Sequence, residues 1–207
     1  MQRSKENGSR ERGSAMVEFV LVVGLFWVPL FMGLWAVGFS LITAIQVNQV
    51  CRDAGHMYSY GVDFSQSTYQ NLLLDLASGL NMTATGGNGV VILSTITYVD
   101  SAACTAAGYS ANLASCPNLG SAVFTRRIIV GNAALHASAF GTPNSADMDS
   151  SGNITSQGYL THTADRATNF SPGVLSLTSS SEYAYVSEMW VQSPIYSGSV
   201  AAARSIF

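Results

Sequence analysis

The stretch that decides the fold is GSAMVEFVLVVGLFWVPLFMGLWAVGFSLITAIQVNQVCR, residues 13–52. No Asp, Glu, Lys or Arg lies between Glu18 and Arg52, and residues 19–45 are almost continuously apolar. A helix needs about 20 apolar residues to cross about 30 Å of hydrocarbon. The stretch is therefore long enough to span a bilayer. It predicts a protein that works from a membrane, or from a filament extracted from one.

The charges on the two sides of this stretch are distributed unequally. Four of the nine Lys and Arg residues precede it, whereas the chain from Arg52 onward carries five Arg, no Lys and nine acidic residues. Because cytoplasmic flanks of membrane helices are enriched in Lys and Arg, this asymmetry predicts a cytoplasmic N-terminus and an extracytoplasmic body. That body has no basic surplus with which to bind nucleic acid.

Three kinds of N-terminal segment compete to explain the stretch. A secretory signal has an apolar core of about 7–15 residues before a small-x-small cleavage site. Residues 36–38 would pass as such a site, but the apolar run before them is longer than that core. A plain signal anchor explains the length and gives no reason for Glu18. A prepilin-type leader is cut after a Gly on the cytoplasmic face, and the hydrophobic helix stays on the mature protein.

The residues around Gly13 fit the third explanation. Glu18 follows Gly13 by five positions, so cleavage after Gly13 places Ser14 first and a glutamate fifth in the mature chain. Residues 13–39 closely resemble the start of TadE-like proteins, the minor pilins or pseudopilins of the tight-adherence (Tad, or Flp) pilus. The Gly-x-x-x-Val-Glu-Phe order and Pro29 within the apolar run carry the resemblance. Pro29 also removes one backbone hydrogen bond and is expected to kink or loosen the helix.

Two further segments also resemble this family. Residues 46–61, QVNQVCRDAGHMYSYG, look like its polar exit from the membrane, although Cys51 stands where such proteins usually have a small residue such as Ala. Residues 184–196, AYVSEMWVQSPIY, look like its late strand, with an acid before aromatic residues and a Pro.

The resemblance implies a non-enzymatic, single-pass protein of the inner membrane that assists assembly of a Tad-type pilus in adhesion and surface colonisation. A prepilin peptidase would remove the leader, residues 1–13. Residues 14–61 would form the transmembrane and assembly helix, and residues 62–207 the extracytoplasmic domain. The implied partners are other pilin or pseudopilin subunits, the prepilin peptidase, the pilus assembly machinery and membrane lipid. No cofactor is expected.

Glu18 and Phe19 are the expected assembly residues. A carboxylate at the edge of an apolar run is costly to bury unless it is paired, and the resemblance implies that the new amine of Ser14 on a neighbouring subunit is the partner. The alternative is a simple interfacial position, close to a helix N-terminus where negative charge is mildly favoured. A stripe of small residues further along would let another helix approach closely. It consists of Ala36, Ser40 and Ala44.

The chain beyond the long helix predicts an α+β domain. Apolar residues at helical spacing indicate a second helix at residues 67–80, and residues 83–89 indicate a turn. Three segments rich in β-branched and aromatic residues are predicted strands, namely 90–99, 123–130 and 183–191. No helix-length segment separates the later strands, so we expect a small antiparallel sheet packed on the long helix, as in pilins.

Residues 141–181 are expected to form a long polar loop. They are rich in Ser, Thr, Asn, Asp and Gly, with scattered apolar residues. Loops of this length are usually functional or partly disordered. An exposed contact-making region and a mobile solvated loop are both compatible with this composition.

The cysteines agree with an extracytoplasmic body. Cys104 and Cys116 lie in a Gly-, Ala- and Ser-rich segment and are predicted to form a disulfide, because disulfides persist outside the cytoplasm. Cys51 is left over on the helix, where a buried small apolar side chain is a better interpretation than a nucleophile.

No catalytic or metal-binding constellation emerges from sequence spacing. The three histidines stand apart from one another and from any Cys-x-x-Cys pair. They are His56, His136 and His162. Asp147 and Asp149 resemble the start of a calcium loop, but the glutamate that would close the coordination is missing.

Two adjacent arginines, Arg126 and Arg127, are expected on opposite faces of a strand, with one of them in a structural ion pair with Glu182 or Glu188. A membrane-anchored binding module, for example for carbohydrate, is the second function class compatible with the sequence. An enzyme is the least supported, since no nucleophile and base can be named.

Overall fold

The computed structural model of the chain describes residues 7–171, 173, 177–192 and 200–207. Its contacts divide the protein into two units, Met1–Thr43 and Ala44–Phe207. The α-helices are α1 (Asn7–Val22), α2 (Val28–Ser59), α3 (Ser67–Leu76), α4 (Ser101–Cys104) and α5 (Ser156–Thr161). The strands are β1 (Met82–Thr83), β2 (Gly86–Gly87), β3 (Gly89–Tyr98), β4 (Ala122–Gly131), β5 (Tyr183–Gln192) and β6 (Val200–Ile206).

Pro29 is accompanied by an irregular turn in the apolar helix. A π turn at Val23–Trp27 separates α1 from α2. Pro29 has no N–H, and its ring crowds the carbonyl group of Leu25, four residues earlier. The turn is widened accordingly, because the N–H of Val28 donates to the carbonyl of Val23, five residues back. The loosening predicted at Pro29 is therefore present as a single π turn.

Helix α2 ends where the sequence predicts, next to Gly61. Gly61 has a φ of 88°, a left-handed conformation that favours glycine. The N–H of Val62 donates to the carbonyl of Met57 at 3.0 Å, and that of Gly61 to the carbonyl of Tyr58 at 3.0 Å. This pair of bonds satisfies carbonyl groups at the end of the helix and turns the chain into the domain.

Helix α3 is shorter than predicted. It begins at Ser67 as expected but ends at Leu76 rather than at residue 80. The backbone leaves the helical region at Ala77, and Gly79 adopts a φ of 92°. This turn brings Leu80 into the core, where it is 5% exposed. The helical spacing of Leu80 therefore reflects burial after the helix has ended.

The sheet has four strands in the order β4-β3-β5-β6, and every neighbouring pair is antiparallel. The three predicted strands are confirmed to within a residue at each end, as β3, β4 and β5. Strand β6 was missed because its sequence, VAAARSI, is rich in Ala, which is depleted in strands. The predicted turn at residues 83–89 overlaps the short hairpin of β1 and β2, which begins one residue earlier at Met82.

The C-terminal part of α2 packs on one face of this sheet. Its buried residues recur every three or four positions and so form a single stripe. They are Val47, Val50, Cys51, Ala54 and Tyr58. They share a core cluster with residues of β3, β4 and β5 that face the helix, among them Val91, Leu93, Ile128, Val130, Met189 and Val191. The expected α+β fold, a long apolar helix with a small antiparallel sheet, is confirmed.

The opposite face of the sheet is covered by the segment expected to be an exposed loop. In its described residues this segment contains α5 and two short 3₁₀ helices, Ser145–Asp147 and Thr163–Asp165. Its scattered apolar residues pack onto the sheet, namely Ile154, Leu160, Phe170 and Leu177, together with Phe140 just before the segment. The expectation of an outward-facing loop is thus wrong for this part of the chain, since a few well-spaced apolar side chains are enough to anchor it.

Candidate functional site

The first candidate surface is the apolar helix. The helix over Ala15–Ser59 is long and apolar enough to cross a membrane, and its most apolar 18-residue window has no buried residue. Large side chains such as Met16 and Leu25 are 75% and 84% exposed. Soluble proteins rarely leave so extended an apolar surface in water. This surface therefore needs lipid or other apolar helices around it, and the helix is a candidate single-pass anchor.

The predicted cleavage and assembly residues lie on helix α1. Ser14 and Glu18 are four positions apart and so share a face of the helix. Glu18 is exposed, and the described part of the chain offers it no salt bridge. Phe19 is 69% exposed. Residues 1–6 of the predicted leader lie outside the described residues.

The predicted stripe of small residues lies on α2. Ser40 is exposed, while Ala36 and Ala44 are partly shielded by their own helix. Two glycines of the same helix, Gly33 and Gly38, would meet nothing within 4 Å if a Cβ were added. Packing within the chain therefore does not require glycine at these two positions, and the absence of a side chain there leaves room for a partner helix.

A cleft of about 350 Å³ lies in the second unit between the end of α2 and the sheet. Tyr58, Tyr183 and Tyr185 line it together with Arg126 and Asn153. Tyr183 is 49% exposed, and aromatic faces beside amide and guanidinium groups are suited to a polar ligand with an apolar face. Sequence reasoning missed this cleft because its residues come from four distant segments.

Arg126 is held at this cleft by Asp63. The guanidinium donates to the Asp63 carboxylate, which also accepts from the backbone and side chain of Ser65, at 3.1 and 2.8 Å. Burial acts to raise the pKa of Asp63, but the hydrogen bonds from Ser65, Arg126 and Gln66 outweigh it and lower the pKa to about 2. The ion pair predicted for one of the two arginines thus exists, with a partner other than Glu182 or Glu188.

We expect the contribution of Asp63 to stability to change with pH only below about pH 4. Its folded pKa of about 2 lies below the ordinary 3.8, so the contribution is complete above the ordinary value and is lost as the pH falls through the folded one. Because the Asp63 side chain is 34% exposed, the pair contributes at most about 1 kcal/mol. An NMR titration measures the pKa of Asp63. The variant Asp63→Asn tests its contribution to stability, and Asp75→Asn, at an exposed position of α3, is the control. A midpoint near 3.8 would contradict the hydrogen bonding described here.

The second arginine, Arg127, lies on the other face of the sheet in a buried polar cluster. Glu188 on β5 is fully buried and accepts from the Nε of Arg204 at 3.1 Å, from the N–H of Ala139 at 3.2 Å and from the hydroxyl of Ser138. Arg127 is 4% exposed and donates to the carbonyl of Gly141. Burial lowers the pKa of Arg127 to about 10, against the opposing effect of Glu188. The opposite-face prediction is confirmed, but the ion-pair partner of Glu188 is Arg204.

A third group of polar side chains combines two carboxylates and an imidazole. Ligand atoms of Asp147, His162 and Asp165 all lie within 4.8 Å of one another. The hydrogen bond from His162 and that from Asn144 lower the pKa of Asp147, although burial opposes them. Burial raises the pKa of Asp165, and the nearby charge of Asp147 adds to that effect. Sequence spacing gave no sign of this group, because 15 residues separate its first two members.

The resemblance of residues 147–153 to a calcium loop does not extend to the structure. One carboxylate oxygen of Asp149 accepts from the N–H groups of Ser151 and Asn153, each at 2.8 Å, and the other accepts from the Asn153 amide at 2.9 Å. The carboxylate therefore stabilises the turn at residues 149–153 through these hydrogen bonds. Asp149 is not brought together with the other two acids of this region.

The three cysteines are buried. Cys104 and Cys116 are joined by a disulfide with a Cα–Cα distance of 6.0 Å. Cys51 is free and fully buried, with its sulfur 3.4 Å from the carbonyl oxygen of Ser187. A thiol in this position packs against the sheet and has no access to a substrate.

Comparison with known proteins gives one result. A family model described as TadE-like protein matches residues 13–56. The match confirms the resemblance seen in the sequence, and it includes the predicted cleavage and assembly residues as well as the apolar surface. No curated protein and no solved structure matches the chain.

Proposed function

We propose that this protein is a TadE-like pseudopilin that serves, without catalysis, in the assembly or structure of a Tad-type pilus used for adhesion and surface colonisation. The observation that carries the proposal is a coincidence of positions. The family match at residues 13–56 covers the same residues that form the exposed apolar helix. A helix of this kind is stable only in lipid or among other helices. A pilus subunit has the first environment before assembly and the second after it.

The charge distribution supports an orientation. The Lys and Arg residues before the apolar helix favour a cytoplasmic N-terminus, and the second unit would then be extracytoplasmic. The Cys104–Cys116 disulfide agrees with this placement, because disulfides persist in oxidising compartments. The inner membrane is the proposed location before assembly.

Glu18 has a specific task in this proposal. Removal of residues 1–13 by a prepilin peptidase would create a positively charged amine at Ser14. When the helix leaves lipid for the core of a filament, the Glu18 carboxylate is buried and needs a cation. The amine of Ser14 on a neighbouring subunit supplies it, and this pairing sets the register of the subunits.

The test is the N-terminal residue and intact mass of the protein from membrane and sheared-surface fractions of its native host. We expect a chain that begins at Ser14. Glu18→Ala should leave this cleavage intact and remove the protein from the surface fraction, since the amine then lacks its partner. Glu11→Ala is the matched control, because Glu11 belongs to the leader and is absent from the assembled protein.

Other results would contradict the proposal. A surface protein that retains residues 1–13 would be a simple anchor, and one that begins near Phe39 would be a secreted protein. Normal surface assembly of Glu18→Ala would remove the proposed role of the carboxylate.

A second function is favoured by the tyrosine-lined cleft. A membrane-anchored binding module, for example one for carbohydrate, would use Tyr183 and Asn153 for stacking and hydrogen bonding. Its helix would be only a tether, so Glu18→Ala would leave binding by cells unchanged while Tyr183→Ala abolished it. The pseudopilin proposal expects that Glu18→Ala prevents surface assembly and that Tyr183→Ala leaves it unchanged.

A further inference from the structure

Three short elements of the segment that covers the sheet meet at one point. Asp147 ends one 3₁₀ helix, His162 follows α5, and Asp165 ends the next 3₁₀ helix. One potential ligand atom of each residue lies within 4.8 Å of the other two. The three side chains thus converge from different elements.

Asp165 has a buried carboxylate oxygen that lacks a hydrogen-bond partner among the described residues. It is fully buried, and its Oδ1 accepts from the N–H of Asn144 at 2.7 Å. Its Oδ2 is buried without any hydrogen-bond partner in the described part of the chain. A buried carboxylate oxygen with no partner is destabilising unless a proton or a cation satisfies it.

The other two groups are held in place beside Asp165. Asp147 accepts through Oδ2 from the Asn144 amide at 2.7 Å and lies 2.6 Å from the Nδ1 of His162. Helix α5 packs directly on Asp147, since a Cβ added at Gly158 would lie 2.7 Å from the Cβ of Asp147. The carboxylate of Asp147 therefore has little freedom to turn away.

We propose that Asp147, His162 and Asp165 bind one zinc ion. Zinc takes imidazole nitrogen and carboxylate oxygen together, whereas calcium takes oxygen ligands alone. With metal–ligand bonds of about 2.0–2.2 Å, tetrahedral coordination places the ligand atoms about 3.3 Å apart, so small side-chain rotations would complete the site. The two carboxylates neutralise the double charge of the ion.

The accessible side of the site explains how the ion would enter. The His162 side chain is 50% exposed, while that of Asp147 is 12% exposed. Zinc would replace the hydrogen bond between these two residues and take water as its fourth ligand from the solvent side. The ion would tie the three elements to one another, in addition to the apolar side chains that pack the segment onto the sheet. This inference is independent of the proposed role in a pilus.

The experiment uses the full chain in detergent, stripped with a chelator and dialysed against zinc at neutral pH. We expect one zinc per chain by elemental analysis, and Co²⁺ in its place should give the visible absorption bands of a tetrahedral site. His162→Ala and Asp165→Asn should each weaken zinc affinity by about tenfold or more. Asp149→Asn and His136→Ala are the matched controls, since neither residue belongs to the group, and both should bind zinc as the native chain does.

The result that would overturn the site is a native chain that binds no zinc, together with a higher melting temperature in Asp165→Asn. Such a chain would hold a shared proton between the two carboxylates instead. Binding of calcium in preference to zinc, or equal zinc binding by His162→Ala, would overturn the assignment as well. Because His162 is half exposed, its replacement leaves the fold intact and decides the question even if Asp165→Asn does not fold.

Discussion

Replacing Glu188 by Ala is expected to lower the free energy of unfolding by about 3 kcal/mol, because buried hydrogen-bond donors and a buried arginine lose the carboxylate that compensates them. Glu188 is fully buried at the middle of β5. Its carboxylate is the acceptor for Arg204 and Ser138. Without it, the buried Arg127 guanidinium loses the nearby negative charge, and Arg204, whose side chain is 43% exposed, loses its partner.

The loss spreads beyond the ion pair. Glu188 also accepts from the N–H of Ala139 at 3.2 Å, so it holds the residues that lead into the covering segment on the sheet. Arg204 lies 4.7 Å from the centre of the Phe140 ring, and Phe140 packs on Phe170. Removing the carboxylate therefore loosens the covering segment as well as the strand pair.

Chemical denaturation of the full chain in detergent measures this effect. Glu182→Ala is the matched control, because it is the same substitution at an exposed residue that, among the described residues, accepts from two nearby backbone N–H groups. We expect the control to cost about 1 kcal/mol. A Glu188→Ala cost no larger than that of the control would mean that water reaches the pair, and would contradict the packing of the segment on this face.

Periodicity predicted the elements of this fold but not their partners. The long apolar run of the helix and the β-branched and aromatic residues of β3, β4 and β5 are local patterns, and they locate the helix and three of the four strands of the sheet. Strand β6 has no such pattern, since its pairing with β5 rests on backbone hydrogen bonds rather than on the propensity of its residues.

The polar contacts were beyond sequence reasoning because they join distant residues. Asp63 and Arg126 are 63 positions apart, and Glu188 pairs with Arg204 across β5 and β6 only because β6 exists. Likewise, nothing in the spacing of the histidines indicated the group around Asp165. The assembly residues are the opposite case, because Glu18 and its neighbours form a continuous motif that a family model matches.

Opening the Cys104–Cys116 disulfide is expected to cost about 3 kcal/mol, since it closes a short loop whose own composition gives it little structure. Twelve residues separate the two cysteines. The helices between them are short, and one contains Gly108 at a φ of 97°. The loop therefore depends on the crosslink more than on its own hydrogen bonds.

The disulfide also anchors a small core. Both sulfur-bearing residues are buried in a cluster with Val99, Val123 and Leu160, so the loop joins β3 and β4 to α5. A chain with both cysteines changed to Ser should lose the expected free energy and should respond no further to reductant. Cys51→Ala is the control, because it removes the free thiol and should leave the response to reductant unchanged.

Thiol counting separates the crosslink from the free cysteine before any stability is measured. The chain has three cysteines, and Cys51 is free and buried. Denaturant alone should therefore expose one reactive thiol, and denaturant with reductant should expose three. If reduction is complete by this measure and the midpoint of unfolding does not fall, the loop is held by the packing of Leu160 and its neighbours, and the crosslink contributes nothing to the fold.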